Sequence, residues 1–597
     1  MMYPYKSPDA GRFHKVQRHS VYLPMRDGIA LAIDVWLPKN LPSTEKLPCL
    51  LHQTRYWRGA ELRWPFSALS DGLLGHEGKM VRELVLNGYA FVNVDCRGSG
   101  ASFGSRNHPW SPDEVKDGYE VADWILQQPW SNQIIGTLGI SYTGTTAEFA
   151  RSLAHPAIKA SMPLFSLYDI FDDIAMPGGI PHDGFVVEWG KANASLDKNV
   201  IPVKDPLIKL LVKGVAPVGK GKEANAQLQA ALIEHRQNLG VHETSSGIDF
   251  RDQAPQNKIV NSMDDFSPHQ HQAAGDLSNT ALLSLSGWRD GAYPHSSIRR
   301  FLNSTASVNR LILGPWDHGG KNHITPGKAH KMGLEIAQEA IKFFDHHLKG
   351  YKTGIDKQPA VQYFTMQEEK WKGSDVWPPA GFVGMPYFLH PQNVLRSTNS
   401  AETSTKTLVH NPLQGTGHYT RWRGLRMSLG TGKLYPDRKK RDGLLACFDS
   451  EPLSTPTEVT GHGEARLYIR TQEQDATFFV YLEDITPGGE IWYVTEGEIR
   501  ALHRKVATSP PPYRDAIAYH SYLKEDAAPI PAGEIVEVRF DLLPVSYLFK
   551  KGHRMRIAIA TGDCDNFKQI SNPGAKFELI LGGEFASQVI LPVMGGK

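Results

Sequence analysis

One stretch constrains this chain more than any other: Ile134-Ile135-Gly136-Thr137-Leu138-Gly139-Ile140-Ser141-Tyr142-Thr143-Gly144. Its first half is apolar and β-branched and reads as a buried parallel strand. The small-residue segment behind it, through Ala147, Phe149 and Leu153, reads as a helix. Ser141 therefore falls on a strand-to-helix turn, where a side chain is pushed out at the carboxyl end of a sheet and the helix N-terminus favours negative charge. That is the local arrangement of a nucleophile elbow. Gly139 suits it, because the backbones approach too closely there for a Cβ. The spacing departs from Gly-x-Ser-x-Gly: Thr143 stands at the second glycine's place and Gly144 follows one residue later. On these residues alone an elbow and an ordinary polar turn are level readings, and the rest of the chain must decide.

A chain of 597 residues is too long for one core and should divide into two to four domains. With 41% hydrophobic and 21% charged residues it reads as a folded, soluble protein. A formal net charge of +2 gives no global field toward nucleic acid or an anionic membrane, so neither is an expected partner. The one basic run, Arg438-Lys439-Lys440-Arg441, reads as a solvated loop between strands. Cys49, Cys96, Cys447 and Cys564 are scattered without C-x-x-C spacing, which implies no metal or redox centre, and Cys49 and Cys96 read as buried thiols. The polar segment Met1 to Ser20 lacks the apolar core of a signal peptide and no run is long enough to span a bilayer, so cytoplasmic residence is the default expectation.

Strands then alternate with helices. Asp27-Gly28 joins Ser20–Met25 to Ile29–Leu37 as a hairpin. Leu47–His52 ends in Gln53-Thr54-Arg55-Tyr56-Trp57-Arg58, and Tyr89–Val94 ends in Asp95-Cys96-Arg97-Gly98-Ser99-Gly100. A helix from Lys79 to Leu86 lies between them. Ser111 and Pro112 open a helix to Gln128 whose apolar face is Val115, Tyr119, Ala122, Trp124 and Ile125. This rhythm implies a mostly parallel sheet with helices on both faces. Residues 1–166 form the first part of that core. Residues 167–276, with helical stretches at Pro206–Val212 and Ala224–Asn238, read as a helical cap inserted over the sheet's carboxyl edge, where it would shape a substrate pocket. Residues 277–352 complete the core with strands at Ala281–Ser286 and Leu311–Leu313 and helices at Ser296–Asn303 and Gly333–Leu348. Residues 353–597 are short alternating runs, from Val361–Thr365 to Met555–Ala560, and read as an all-β jelly-roll sandwich.

A serine nucleophile needs a base, and the base an orienting acid, each on a loop at the carboxyl end of a later strand in the order Ser, acid, His. Asp290, in Gly287-Trp288-Arg289-Asp290-Gly291, and His318, in Gly314-Pro315-Trp316-Asp317-His318-Gly319-Gly320, meet that test. Asp317 is a rival to Asp290, although adjacent residues on one turn rarely face each other. His52, His295 and His323 are competing histidines that read equally as core or surface residues. One oxyanion donor should be the backbone N–H of Tyr142. The other should come from the loop after the early strand, which has no glycine before Gly59, so a side chain is expected; the Tyr56 hydroxyl has the reach, or Tyr56 is a pocket wall.

Taken together, these segments resemble the cocaine-esterase and X-Pro dipeptidyl-peptidase family of serine hydrolases, which also includes α-amino-acid ester hydrolases and glutaryl acylases. The resemblance rests on Met25-Arg26-Asp27-Gly28, Asp95 to Gly100, Asp123-Trp124 through Trp130-Ser131, and Gly139 to Gly144. It continues through Gly287 to Asp290, Gly314 to His318, Tyr363-Phe364-Thr365-Met366 with Trp371, and Lys551-Gly552-His553-Arg554. It implies an α/β-hydrolase core with a helical cap and a C-terminal jelly roll. It also implies Ser141 as nucleophile, Asp290 and His318 as its partners, Tyr56 as the oxyanion tyrosine, and no cofactor. The ester hydrolases of amino acids hold an ammonium with carboxylates just after the triad aspartate, whereas here Gly291-Ala292-Tyr293-Pro294-His295 carries none; Asp169, Asp172 or Asp173 of the cap could still supply one. The expected activity is hydrolysis of a small ester, amide or short peptide through an acyl-enzyme, with an ester preferred. An X-Pro dipeptidyl aminopeptidase is the alternative within the class, and a non-catalytic protein binding through its jelly roll the alternative outside it. Exposed sandwich edges are compatible with a homodimer.

Overall fold

Ten strands of the chain build one sheet: β1 (Val16–Pro24), β2 (Ala30–Pro38), β3 (Leu47–Thr54), β4 (Ala90–Asp95), β5 (Ser131–Ile140), β6 (Ile158–Leu164), β7 (Ala281–Gly287), β8 (Asn309–Gly314), β9 (Val361–Thr365) and β10 (Lys370–Ser374). Their spatial order is β1-β2-β4-β3-β5-β6-β7-β8-β9-β10. From β4 to β9 all neighbours are parallel, and β1, β2 and β10 run antiparallel at the edges. The computed structural model describes every residue except 1–2, 70–72, 74, 204, 256–259, 334, 425–434, 509 and 596–597.

The seven helices that matter for the site are α1 (Gly75–Leu86), α2 (Pro112–Leu126), α3 (Tyr142–Ser152), α4 (Asp183–Asp197), α5 (Gly221–Glu234), α6 (Tyr293–Asn303) and α7 (Glu335–Lys349). Because successive strand residues face opposite sides, Leu50 and Leu51 of β3 enter different cores. Leu50 packs in a cluster with Phe343 and Phe344 of α7, and Leu51 in one with Val121 and Ile125 of α2. The sheet is thus covered on both faces, which is why β3 and β7 are buried along their whole length.

The C-terminal half forms a second, thirteen-stranded hydrogen-bonded system running from Phe382 to Met594, almost wholly antiparallel. Its core is continuous with the first domain: Trp288, Leu311, Leu313 and Tyr363 share one apolar cluster with Leu467, Phe478 and Phe577. The architecture is an α/β-hydrolase core with a helical cap and a C-terminal jelly-roll domain. No helix of the described residues is long and apolar enough to cross a membrane.

Several local expectations change. Val361–Thr365, grouped by its texture with the jelly roll, is β9, pairing with Leu311–Leu313, and Lys370–Ser374 closes the same sheet. An alternating run is the same signal in either domain, and only pairing separates them. The buried face of α2 is Glu114, Asp117, Gly118, Val121, Ala122 and Ile125, while Tyr119 is exposed. Two acids face inward because they have partners: Asp117 binds Arg97 at 2.6–2.7 Å, and Glu114 accepts the Tyr142 hydroxyl. The basic run is not wholly solvated, since Arg438 is buried against Glu483 and Asp442. All four cysteines are free thiols, with Cys49 and Cys96 buried.

Candidate active site

Ser141 lies between β5 and α3 with φ +65° and ψ −122°. A non-glycine residue there costs roughly 1–3 kcal/mol and persists only where its neighbours fix it. They do. Ser141 N donates to Leu164 O of β6 at 2.9 Å, and Ser141 O accepts from Thr145 N at 3.0 Å. Thr143, the residue that breaks the usual spacing, closes the turn: its hydroxyl accepts from Ile140 N at 2.7 Å and donates to Ile140 O at 2.8 Å. A Cβ at Gly139 would meet Thr143 backbone at 2.3 Å, and one at Gly144 would meet Leu164 O at 2.6 Å. The displaced glycine is therefore set by the approach of α3 to β6.

β7 and β8 are parallel neighbours in register at Gly287 and Gly314, so the loops that follow them leave the sheet side by side. His318 Nδ1 lies 2.8 and 2.9 Å from the two oxygens of Asp290. Asp290 is buried, which pushes its carboxyl up from the usual range, and His318 opposes that shift. Asp317 takes no part: it accepts from Asn322 N at 2.8 Å and from the Asn322 amide, and burial raises it to about 6. The other histidines are engaged elsewhere, His52 with Asn93, His295 with His462 and His323 stacked on His330. Ser141, Asp290 and His318 border one cavity of about 340 Å³. Tyr293, three residues beyond Asp290, tilts over the His318 ring at 5.3 Å and lines the same cavity as Ser141.

Tyr56 borders the same cavity. Its loop is pinned by Arg58, whose guanidinium binds Asp34 at 3.0 Å and Asp95 at 2.8 Å. Asp95 also receives Ala101 N at 2.8 Å, and Arg97 ties Asp117 to Asp27 of the hairpin. The motif from Asp95 to Gly100 thus holds the Tyr56 loop rather than meeting a substrate. The Tyr56 hydroxyl oxygen accepts from Trp189 Nε1 of α4 at 2.8 Å, which leaves the O–H to point elsewhere. Tyr142 opens α3, so its N–H has no acceptor within the helix.

Beside Ser141 a larger cavity of about 680 Å³ runs under the cap, walled by Trp110, Leu167, Ile170, Phe185, Trp189 and Phe266 among others. Among the described residues no carboxylate borders it. Asp169 accepts the Tyr513 hydroxyl at 2.5 Å and pairs with Arg251 at 2.8 Å, while Asp172 and Asp173 pair with Arg299 at 2.7 and 3.0 Å. Asp169, Asp264 and His269 cluster as metal ligands would, but the Arg251 guanidinium bridges the two carboxylates.

Sequence reasoning missed Trp189, Tyr293 and the jelly-roll Arg421, whose guanidinium binds Gly291 O at 2.9 Å and Trp288 O at 2.8 Å and so clamps the loop that carries Asp290. Helix α4 has no capping side chain and two glycines, so it left no start signal; Gly184 is required where the helix meets Arg423 and Asn566.

A serine at a strained elbow, with a hydrogen-bonded histidine–aspartate pair whose acid is buried, on an α/β-hydrolase sheet, defines a serine hydrolase. Residues 27–320 match the family of the X-Pro dipeptidyl-peptidase (S15 family) and residues 353–583 its C-terminal non-catalytic domain, and the chain belongs to that family. It is 40% identical over 618 residues to a Mycobacterium bovis protein that carries the name serine esterase, covering 99% of this chain and 98% of that one. It is 25% identical over 623 residues to the cocaine esterase of a Rhodococcus species, covering 96% and 98%. Among solved structures it shares the fold of a CocE/NonD family hydrolase from Staphylococcus aureus, with TM-score 0.70, 20% identity and coverage of 97% and 93%. It also shares the fold of an aminopeptidase from a marine-sediment Thaumarchaeota archaeon, with TM-score 0.73, 20% identity and coverage of 99% and 98%. The chain is a serine hydrolase of small-molecule or peptide substrates.

Proposed function

We propose that the enzyme hydrolyses carboxylic esters bearing a bulky apolar group, with Ser141 as nucleophile. His318 Nδ1 is committed to Asp290, so Nε2 is left to take the Ser141 proton as the hydroxyl attacks the carbonyl carbon. Buried Asp290 fixes that tautomer and balances the imidazolium. The oxyanion is held by Tyr142 N–H and Tyr56 O–H. His318 returns its proton to the leaving alkoxide, and water, activated by the same imidazole, releases the acid.

The observation that carries this reading is a single cavity bordered by the strained Ser141, the hydrogen-bonded His318–Asp290 pair and the Tyr56 hydroxyl. The ester preference rests on the neighbouring apolar cavity. A free substrate ammonium there would be desolvated with no carboxylate among the described residues to receive it, because Asp169, Asp172 and Asp173 of the cap are already paired with Arg251 and Arg299.

The test is hydrolysis of p-nitrophenyl acetate, butyrate and benzoate beside an X-Pro p-nitroanilide, by wild type and Ser141→Ala, with the site of fluorophosphonate labelling located by mass spectrometry. The benzoate or butyrate should be turned over with the highest kcat/KM, Ser141 should carry the label, and the variant should be silent. Preferential cleavage of the X-Pro anilide would reverse the substrate assignment, and label on another residue would reverse the triad.

A further inference from the structure

Arg55 precedes Tyr56 in the loop after β3 and is 2% exposed. Its guanidinium lies 4.9 Å from the centre of the Trp189 ring and 5.5 Å from that of Tyr142. Nε and Nη1 are buried without a hydrogen-bond partner, and no ion pair reaches the group among the described residues. The nearby carboxylates make no ion pair with it: Asp197 is held by Arg106 and Asn238, and Glu114, whose carboxyl burial pushes up and the Arg55 charge draws down, accepts the Tyr142 hydroxyl through one oxygen and leaves the other unbonded. Arg58, three residues along the same loop, shows the ordinary solution, with a carboxylate on each side.

A guanidinium stays protonated in a protein, and a buried charge without a counter-charge is strongly unfavourable. Such a group is tolerated where a counter-charge arrives later. The two rings that Arg55 faces belong to the oxyanion machinery: Tyr142 supplies the backbone N–H, and Trp189 donates to the Tyr56 hydroxyl. We propose that Arg55 is a positioning residue whose missing counter-charge is the oxyanion itself, its field reaching the tetrahedral intermediate through Tyr56 and Tyr142. The inference rests on the assignment of Ser141 and Tyr56 made above. Compensation of the charge then occurs only as negative charge develops on the carbonyl oxygen, so the interaction strengthens between ground and transition state and speeds the chemical step. In the resting enzyme burial pushes the Tyr56 phenol up while the Arg55 charge opposes that rise, which makes the hydroxyl a better donor. Arg55 does not border either cavity by the nucleophile, so a direct salt bridge with substrate is not part of the proposal.

The experiment compares Arg55→Met and Arg55→Lys with wild type on the best p-nitrophenyl ester, together with inhibition by a trifluoromethyl ketone, which forms a tetrahedral adduct on the serine. Arg55→Met should lower kcat roughly 10- to 100-fold, less than the roughly 100- to 1,000-fold lost with a direct oxyanion donor, and leave KM nearly unchanged. Ketone affinity should fall by a similar factor. Arg55→Lys should recover activity at low pH and lose it as pH rises, because a buried ammonium has a depressed pKa and gives up its charge. That alkaline limb would be absent from wild type. Unchanged kcat and ketone affinity in Arg55→Met would overturn the proposal. So would an Arg55→Lys enzyme as slow as Arg55→Met at every pH. If Arg55→Met does not fold by circular dichroism, the alkaline limb of Arg55→Lys decides alone, its presence supporting the proposal and its absence rejecting it. Ser141→Ala separates the two levels: residual turnover there would defeat the triad reading, whereas a silent Ser141→Ala beside a normal Arg55→Met would defeat only the role of Arg55.

Discussion

Thr143 and Tyr56 show how single side chains carry the site. Thr143 replaces a glycine of the common spacing, yet its hydroxyl bonds both the N–H and the C=O of Ile140. Thr143→Val keeps the shape and removes both bonds, leaving a buried N–H unpaired. It should destabilise the protein by about 1–3 kcal/mol, read from the urea midpoint. Tyr56→Phe removes the proposed oxyanion donor and keeps the ring. We expect kcat to fall about 100-fold with KM little changed; a rise in KM with kcat preserved would instead make Tyr56 a pocket wall. The glycine-poor loop makes a side-chain donor the expectation from sequence, whereas the indole that bonds the Tyr56 hydroxyl is visible only in the structure.

At the scale of elements, helix α4 decides more than its sequence announces. It brings Trp189 to Tyr56 and begins at His182, which is buried between Phe185, Trp422 and Phe567. Trp189→Phe preserves the ring but withdraws the hydrogen bond, so the phenol is free to rotate. A severalfold loss of kcat is expected, with a smaller change in KM for the benzoate. His182 supplies a pH signature. Burial lowers it to about 3, against about 6.5 for an unfolded histidine. The unfolded chain therefore binds a proton between those values and the folded one does not, so this contribution to stability is full above pH 6.5 and is lost as pH falls toward 3. The stability difference between wild type and His182→Gln should shrink by roughly 1.4 kcal/mol per pH unit below 6.5, measured by chemical denaturation at pH 7.5, 6 and 5. A difference independent of pH would show that His182 is not buried neutral.

Across the whole molecule the three parts are joined by buried charge as well as by apolar packing. Arg299 of α6 reaches Asp172 and Asp173 of the cap at 2.7 and 3.0 Å and Asp515 of the jelly-roll domain at 2.8 Å. Arg299 and His295 together hold the carboxyl of Asp515 well below its usual range against the effect of burial. Arg299→Met would strand three acids at the junction of cap, core and sandwich. We expect a loss of about 3–5 kcal/mol and a lower thermal midpoint; an unchanged midpoint would mean that the junction is held by packing alone. Asp172 and Asp173, with Asp169, are the cap acids expected from sequence as possible grips for a substrate amine, and nothing in the sequence shows that Arg299 and Arg251 from distant segments already occupy them.

What the sequence determined by itself is whatever depends on short-range pattern and chain order. Strand periodicity, the hairpin at Asp27-Gly28 and the turn at Gly139 to Gly144 locate the elbow, and chain order points to Asp290 and His318, which the structure joins by a hydrogen bond. Tertiary structure alone decided which sheet Val361–Thr365 joins, which face of α2 is buried, and which side chains from Arg55, Trp189 and Arg421 converge on the site. The reason is physical: a strand's partner, the neutralisation of a buried acid and the shape of a pocket are set by groups far apart in sequence, whose energies exist only once the chain has brought them together.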